Sequence, residues 1–273
     1  MVFKRLLGMG GIPLEIDTVM QSEPALPGGL LRGELVVRAP DRRIEVKATR
    51  LRLVTDAPVA HKGDGDGSGG DVFDHPSVSG YFTLEKGEER RLPIRHRLKW
   101  ETPLTEVKGQ QLGVHLGMHT EVEAEGVKAQ TDDDLVHITA LPLHEAVLDA
   151  FASEGYALRG SRVHNQSIPR TEHHLYRTQG LLLVDERSGQ SRPEKLELHF
   201  HTNAVGCEIF LRKAKLDEGY WKNKPPARRF VAAHHEVGRM DFDAEVPRWI
   251  GEVGASAGSH PADDHDDHDD HDE

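Results

Sequence analysis

The chain has 273 residues and a formal net charge of −12, but this charge is distributed unevenly. Seven aspartates and Glu273 within residues 261–273 carry −8 of it, which leaves −4 for the other 260 residues. A nearly neutral body argues against the broad positive surface that nucleic-acid binding requires. The length exceeds what one β-sandwich core needs and suits two domains of about 100–140 residues each.

Cysteine content and the first residues indicate the compartment. The single cysteine, Cys207, excludes an intrachain disulfide, so a reducing environment suits the chain. The apolar residues near Phe3 are interrupted by three glycines and Pro13, which makes the run too short for a signal-peptide core or a membrane span. We therefore expect a cytoplasmic protein that does not insert stably into a membrane.

Alternating apolar and polar residues predict strands through the first half. Arg42–Val54 changes the parity of its apolar positions between Ala48 and Leu51, which predicts a bulge near Thr49–Arg50. A long alternation at Gln111–Ala124 predicts a strand with one face in the core. Further strands are predicted at Leu14–Gln21, Leu30–Ala39, Val78–Leu84 and Leu92–Leu98.

Ile138–Arg159 is the one long helical pattern, and it lies near the middle of the chain. Pro142 suits the first helical turn, and Gly155 is placed to end the helix. We predict a helical connector between two β-rich domains, which sets their relative orientation. The connector residues that recur at helical spacing are Leu143, Val147, Ala150 and Phe151.

In the second half, strands are predicted at Leu175–Val184, Lys195–Thr202, Glu208–Lys213 and Arg229–Val237. In the second of these, Leu196, Leu198 and Phe200 are expected to face inward, and Glu197, His199 and His201 outward. Two histidines on one strand face are a start for a metal site, although exposed histidines without a ligand are the simpler interpretation. From Gly254 onward the chain consists almost entirely of Gly, Ala, Ser, His and Asp, with no large apolar side chain to anchor it. This composition predicts a disordered tail at residues 255–273.

Several segments, taken in order, resemble the bacterial sporulation-control family of the stage-zero M type. They are FKRLLG near the N-terminus, LPGG followed by GELVV at Leu26–Val37, WETPLT at Trp100–Thr105, GVHLGMHTEV, and the connector itself. The similarity covers residues 1–160 and, more weakly, 193–216. SIPRTEHHLYR and GYWKNKPPARRF in the second half, and the Asp/His tail, depart from the family pattern.

The resemblance implies an all-β, arrestin-like fold of two antiparallel β-sandwiches joined by a short helical linker. The expected domains are residues 1–138, the linker 139–159, residues 160–254 and the tail 255–273. The resemblance also implies a cytoplasmic regulator of sporulation or the cell cycle that acts through protein contacts. It brings no catalytic residues to this sequence.

The tail repeats Asp-Asp-His, which places imidazoles beside carboxylates. These groups are ligands for Zn, Ni or Cu, so the tail is a candidate metal-binding segment. The other interpretation is a solvated anionic tail that repels surfaces or docks weakly to a basic one. The candidate metal ligands are His260, His265, His268 and His271.

Residues 219–230 combine aromatic and basic side chains, a composition that can stack on nucleic-acid bases or bind an acidic partner. A solvated loop and docking of the chain's own acidic tail are the alternatives. The candidate contact residues are Tyr220, Trp221, Arg228 and Arg229.

No nucleophile elbow, phosphate-binding glycine loop or zinc-protease motif is present in the sequence. We therefore predict a non-enzymatic adaptor that requires no cofactor. The competing hypothesis is a metal-handling protein that uses its tail.

Overall fold

The computed structural model describes residues 13–55, 71–78, 80–164, 178–187, 193–214 and 226–255. The chain folds into antiparallel β-sheets, as the alternating patterns predict. The first half (residues 13–138) contains β1 (Glu15–Met20), β2 (Leu30–Arg38), β3 (Ile44–Thr55), β4 (Asp71–Asp74), β5 (Phe82–Leu84), β6 (Glu89–Arg97), β7 (Glu106–Val107), β8 (Gln110–Gln111), β9 (Leu116–Ala124) and β10 (Val127–Val136).

Two sheets of the first half pack as a sandwich. One has the order β1-β2-β6, and the other has the order β10-β9-β3-β4 with β5 also paired to β3. Their inner faces supply side chains such as Leu35, Leu53 and Met118, all of which are fully buried. Pairing of β3 with β9 shifts register between Val46 and Ala48, so the predicted bulge exists but lies before Thr49–Arg50.

The sandwich is closed at one side by carboxylates. The backbone N–H of Thr18 donates to Asp132 Oδ2, and that of Met20 donates to Asp134 Oδ2, each at 2.6 Å. These bonds join β1, at the edge of its sheet, to β10, at the edge of the other. The alternation did not predict β10, because its Lys128–Asp134 stretch is almost entirely polar.

Helix α1 (Pro142–Ser153) is the predicted connector helix. Pro142 occupies its first turn, and Gly155 follows its end with a φ of 79°, a conformation that glycine favours. The helix is shorter than predicted, because Tyr156–His164 forms strand β11. The four connector residues are all buried: Leu143, Val147, Ala150 and Phe151.

The second half (residues 142–255) contains β11, β12 (Thr178–Asp185), β13 (Lys195–Thr202), β14 (Gly206–Lys213) and β15 (Arg228–Ala233), which form one sheet in chain order. A short 3-10 turn, His234–Glu236, follows β15, so the predicted strand Arg229–Val237 ends early. The domain boundaries given above stay predictions.

A second helix, α2 (Phe242–Ala255), was not predicted. Its stripe of buried residues includes Val246, Trp249 and Val253, and Trp249 stacks on Phe230 of β15 at 4.8 Å. Pro247 inside the helix obscured this pattern, since proline usually ends a helix. Disorder was predicted from residue 255, but Ala255 is the last residue of α2. Residues 256–273 lie outside the described residues.

Candidate functional site at the junction of the two halves

Residues 100–112, here called the bridging segment, connect β6 to β9 and join the first half to the second. The Leu104 N–H donates to Gln179 Oε1 at 2.8 Å, and Gln179 Nε2 donates back to the Leu104 carbonyl at 2.7 Å. Gln179 Nε2 also donates to Ser161 Oγ at 2.9 Å. One side chain of β12 thus satisfies both main-chain groups of a buried residue that belongs to no helix or strand.

The far end of the bridging segment contacts β11 and α1. The Leu112 carbonyl accepts from the Ser161 N–H at 2.9 Å, and Gln110 Nε2 donates to the Leu158 carbonyl at 2.8 Å. Lys108 Nζ lies 2.5 and 2.7 Å from the two carboxylate oxygens of Asp149 on α1. The two halves are therefore joined by directional bonds to both the sheet and the helix of the second half.

Trp100 begins the bridging segment and packs between the halves. Its ring covers Gly28, where an added Cβ would lie 2.5 Å from ring atoms. The same ring stacks on His234 with 6.0 Å between centroids and 28° between planes. His234 Nε2 is 2.9 Å from the Asn203 carbonyl, which holds the imidazole in place.

A cavity of about 30 Å³ lies beside these contacts, room for one or two water molecules. Ligand pockets usually measure about 300–1,000 Å³, so this cavity is too small for a metabolite. It is lined by Pro27, Trp100, Glu101, Thr102, Pro103, Leu104, His144, Thr178, Gln179, Leu181, Phe200 and Thr202.

His144, on α1, is the buried titratable group of this cavity, with 2% of its surface exposed. Its Nε2 lies 2.8 Å from Thr202 Oγ1, and the Thr202 hydroxyl donates to Cys207 Sγ at 3.4 Å. Because the Thr202 hydroxyl uses its hydrogen toward Cys207, its oxygen accepts a hydrogen bond from His144, which places the imidazole proton on Nε2. The ring also stacks on Phe200 at 4.3 Å.

Burial lowers the pKa of His144 to about 3, with a smaller contribution from the charge of His234. The imidazole is therefore neutral at physiological pH. Its Nδ1 has no hydrogen-bond partner within the described part of the chain. Burial likewise raises the pKa of the Cys207 thiol to about 12, so Cys207 is not a reactive thiolate.

The other face of the second-half sheet corrects a prediction. Glu197, His199 and His201 were expected to face solvent, but their exposed fractions are only 5%, 3% and 8%. Arg212 donates from Nε to Glu197 Oε2 at 2.6 Å, and its Nη2 lies 3.1 Å from His199 Nε2. The attraction between Arg212 and Glu197 compensates for the hydration that both charges lose on burial. Strand alternation alone does not reveal that Glu197 has such a partner.

Of the remaining predicted site residues, the structure describes only Arg228 and Arg229. Arg228 and Arg229 are exposed on β15, and Arg229 is paired with Glu208 at 2.6 Å. Across the described ranges, no group of three or more His, Cys, Asp or Glu side chains has a metal-binding arrangement. Tyr220, Trp221, His260, His265, His268 and His271 lie outside the described residues.

Sequence reasoning missed Gln179, His144 and the role of Trp100 at the junction. WETPLT was noticed only as part of the family resemblance. Gln179 lies at the start of a strand, where nothing local marks a partner 75 residues away. No helix among the described residues is long and apolar enough to cross a membrane.

The comparisons with known proteins agree with this architecture. The model of the Spo0M family, described as SpoOM protein, matches residues 3–216. The sporulation-control protein spo0M of Bacillus subtilis (strain 168) is 27% identical over 210 residues, which cover 76% of this chain and 78% of the relative. The crystal structure of Spo0M from Bacillus subtilis superposes with a TM-score of 0.70 at 21% identity, covering 88% of this chain and 99% of that one.

The family match spans both sheets of the first half, the connector helix and the strands up to β14. The structural similarity confirms the all-β, arrestin-like fold. The chain belongs to the Spo0M family of sporulation-control proteins.

Proposed function

We propose that the protein is a non-enzymatic regulator that acts through protein contacts in the cytoplasm, in sporulation or cell-cycle control. The observation that carries this proposal is the junction. Its polar groups bond the two halves to each other, and its cavity of about 30 Å³ leaves no space for a substrate. A rigid β-rich body whose outer faces remain available is suited to presenting surfaces to partner proteins.

Family membership supports the process, since the family is one of sporulation control. The single, buried Cys207 supports a reducing compartment.

The test is genetic and biochemical together. Deletion of the gene in the native bacterium should change the timing or frequency of sporulation or of division, and the wild-type chain should restore it. Full-length protein with an N-terminal affinity tag should retain a stoichiometric partner from the same cells. Unchanged timing together with no stoichiometric partner would refute the proposal.

The Asp/His tail supports a second proposal, that the protein binds a divalent transition metal. Neighbouring imidazoles and carboxylates are the chemistry that favours it. Calorimetric titration of the full chain with zinc should show binding that disappears when His260, His265, His268 and His271 are replaced by glutamine. Equal heats for both proteins would refute this use of the tail.

A further inference from the structure

The outer face of the three-stranded sheet carries two arginines in direct opposition. Arg32 of β2 pairs in register with Arg95 of β6, and both side chains are exposed. Arg97, two residues further along β6, lies on the same face opposite Leu30, which is 36% exposed. Like charges directly across a strand pair destabilise a sheet, so this arrangement works against folding.

Arginines at the opposite end of this face are neutralised. Arg91 lies 2.7 Å from Glu34 and 2.9 Å from Glu89, and Arg38 lies 4.0 Å from Glu15.

The guanidinium groups of Arg32 and Arg95, in contrast, form no hydrogen bond or ion pair with any residue of the described ranges. Arg97 donates only to the Gly28 carbonyl, at 2.7 Å, which leaves its charge uncompensated. Three positive charges therefore share one end of the sheet face, and none of them has an ion-pair partner among the described residues.

We propose that this end of the face, formed by Arg32, Arg95 and Arg97, binds a short acidic segment of a partner protein. Arginine binds carboxylates through paired hydrogen bonds, and two guanidinium groups on adjacent strands offer two such sites side by side. The exposed Leu30 adds an apolar contact beside them. The inference rests on the proposed function and names the chemistry of the partner.

Charge distribution favours a peptide over larger polyanions. Outside residues 261–273 the chain carries a net charge of −4, and the other arginines of this face, Arg91 and Arg38, are paired with glutamates. Nucleic acids and anionic membranes require positive charge over a wide surface. A short acidic segment can contact the three arginines and avoid the rest of the surface.

The test measures fluorescence anisotropy of a labelled octaglutamate peptide with the full-length protein at low salt. We expect Arg32→Glu and Arg95→Glu each to weaken binding by about tenfold or more. Lys86→Glu is the matched control, because Lys86 is exposed in the turn before β6, at the opposite end of that strand. It should leave the affinity unchanged.

Folding does not confound this test. Arg95→Glu converts a repulsive cross-strand pair into an attractive one, so its melting temperature should equal or exceed that of the wild type. Added salt should weaken peptide binding to the wild type, since the contact is electrostatic.

Three results would overturn the inference. One is equal peptide affinity in Arg95→Glu and Lys86→Glu. Another is Arg95-dependent binding of phosphatidylserine vesicles or a single-stranded oligonucleotide without binding of the peptide. The third is peptide binding that is visible only when the aspartates of residues 261–273 are replaced by asparagine, which would assign the surface to the chain's own tail.

The two proposals fail separately. Arg95-dependent peptide binding in a protein without any effect on sporulation or division would refute the proposed function alone. Capture of a cellular partner that does not depend on Arg95 would refute this inference alone.

Discussion

Gln179 and Leu104 hydrogen-bond to each other in both directions, at 2.8 and 2.7 Å, although they belong to different halves of the protein. Leu104 is buried and belongs to no strand, so no strand ladder supplies a partner for its main chain. The Gln179 amide takes the place of that strand. One of the contacts that join the two halves is thus a side chain whose donor and acceptor are both used.

Gln179→Ala should destabilise the protein by about 1–3 kcal/mol, because the Leu104 N–H and carbonyl would lose their partner while they remain buried. Urea unfolding followed by tryptophan fluorescence measures this change. The control is Gln130→Ala, since the Gln130 side chain bonds, among the described residues, only to the nearby Lys128 carbonyl. Its effect should stay within about 0.5 kcal/mol. Equal effects of the two substitutions would contradict a structural role for the Gln179 bonds.

His144 should make stability depend on pH. Its pKa is about 3 in the folded protein, below its ordinary value of 6.5, so the unfolded chain binds a proton that the folded one does not. The stability due to neutral His144 is fully present above pH 6.5 and is lost as pH falls toward 3. The loss approaches about 4 kcal/mol in that range.

His144→Gln should remove this part of the pH dependence of the unfolding free energy. His235→Gln, a substitution of an exposed histidine, should leave it in place. Parallel curves for His144→Gln and the wild type between pH 7 and 4 would show that His144 does not titrate as described.

Gly28→Ala should be more damaging than the same change at Gly87. Both glycines have positive φ, 69° and 81°, so alanine is strained at each by about 1 kcal/mol. Only at Gly28 would the new Cβ meet the Trp100 ring; at Gly87 the space is open. The excess destabilisation should be about 1–3 kcal/mol, measured by thermal and urea unfolding. Trp100→Ala in the same chain should reduce that excess, and a full excess without the ring would exclude the clash as its cause.

Asp17 should oppose folding at neutral pH. Partial burial and the charges of Asp132 and Asp134 raise the pKa of Asp17, so the folded protein disfavours its ionised form. Stability is then greatest below the ordinary pKa of aspartate and decreases as pH rises through the raised value. Asp17→Asn should raise the melting temperature at pH 7 and have no such effect near pH 3. A gain of the same size at both pH values would point to a cause other than charge.

Periodic patterns predicted the sandwich strands β1, β2, β3, β5, β6 and β9 and the connector helix, because burial on one face imposes a regular spacing on apolar residues. Leu143 and Val147 on α1 are examples, as are Leu35 and Leu53 in the sheets. Helix α2 was not predicted, because Pro247 interrupts an otherwise clear apolar stripe. Strand β10 was not predicted, because its contacts with β1 are hydrogen bonds to the carboxylates of Asp132 and Asp134, and a hydropathy pattern does not report such bonds.

The junction was less predictable than the fold. The contacts of Gln179 and Trp100 join residues far apart in sequence, and polar groups at such sites have no periodicity. Glu197 and His199 alternated correctly with Leu196 and Leu198, yet both faces of their strand are covered. Alternation indicates which residues share a face, but it does not show whether water reaches that face.

The carboxylates of Asp132 and Asp134 also occupy the free edge of β1. An edge strand normally offers unpaired N–H groups to any other edge strand that approaches, which is a common route to aggregation. At β1 the N–H groups of Thr18 and Met20 are already taken by these two side chains. This side of the sandwich is thereby protected against strand-to-strand association.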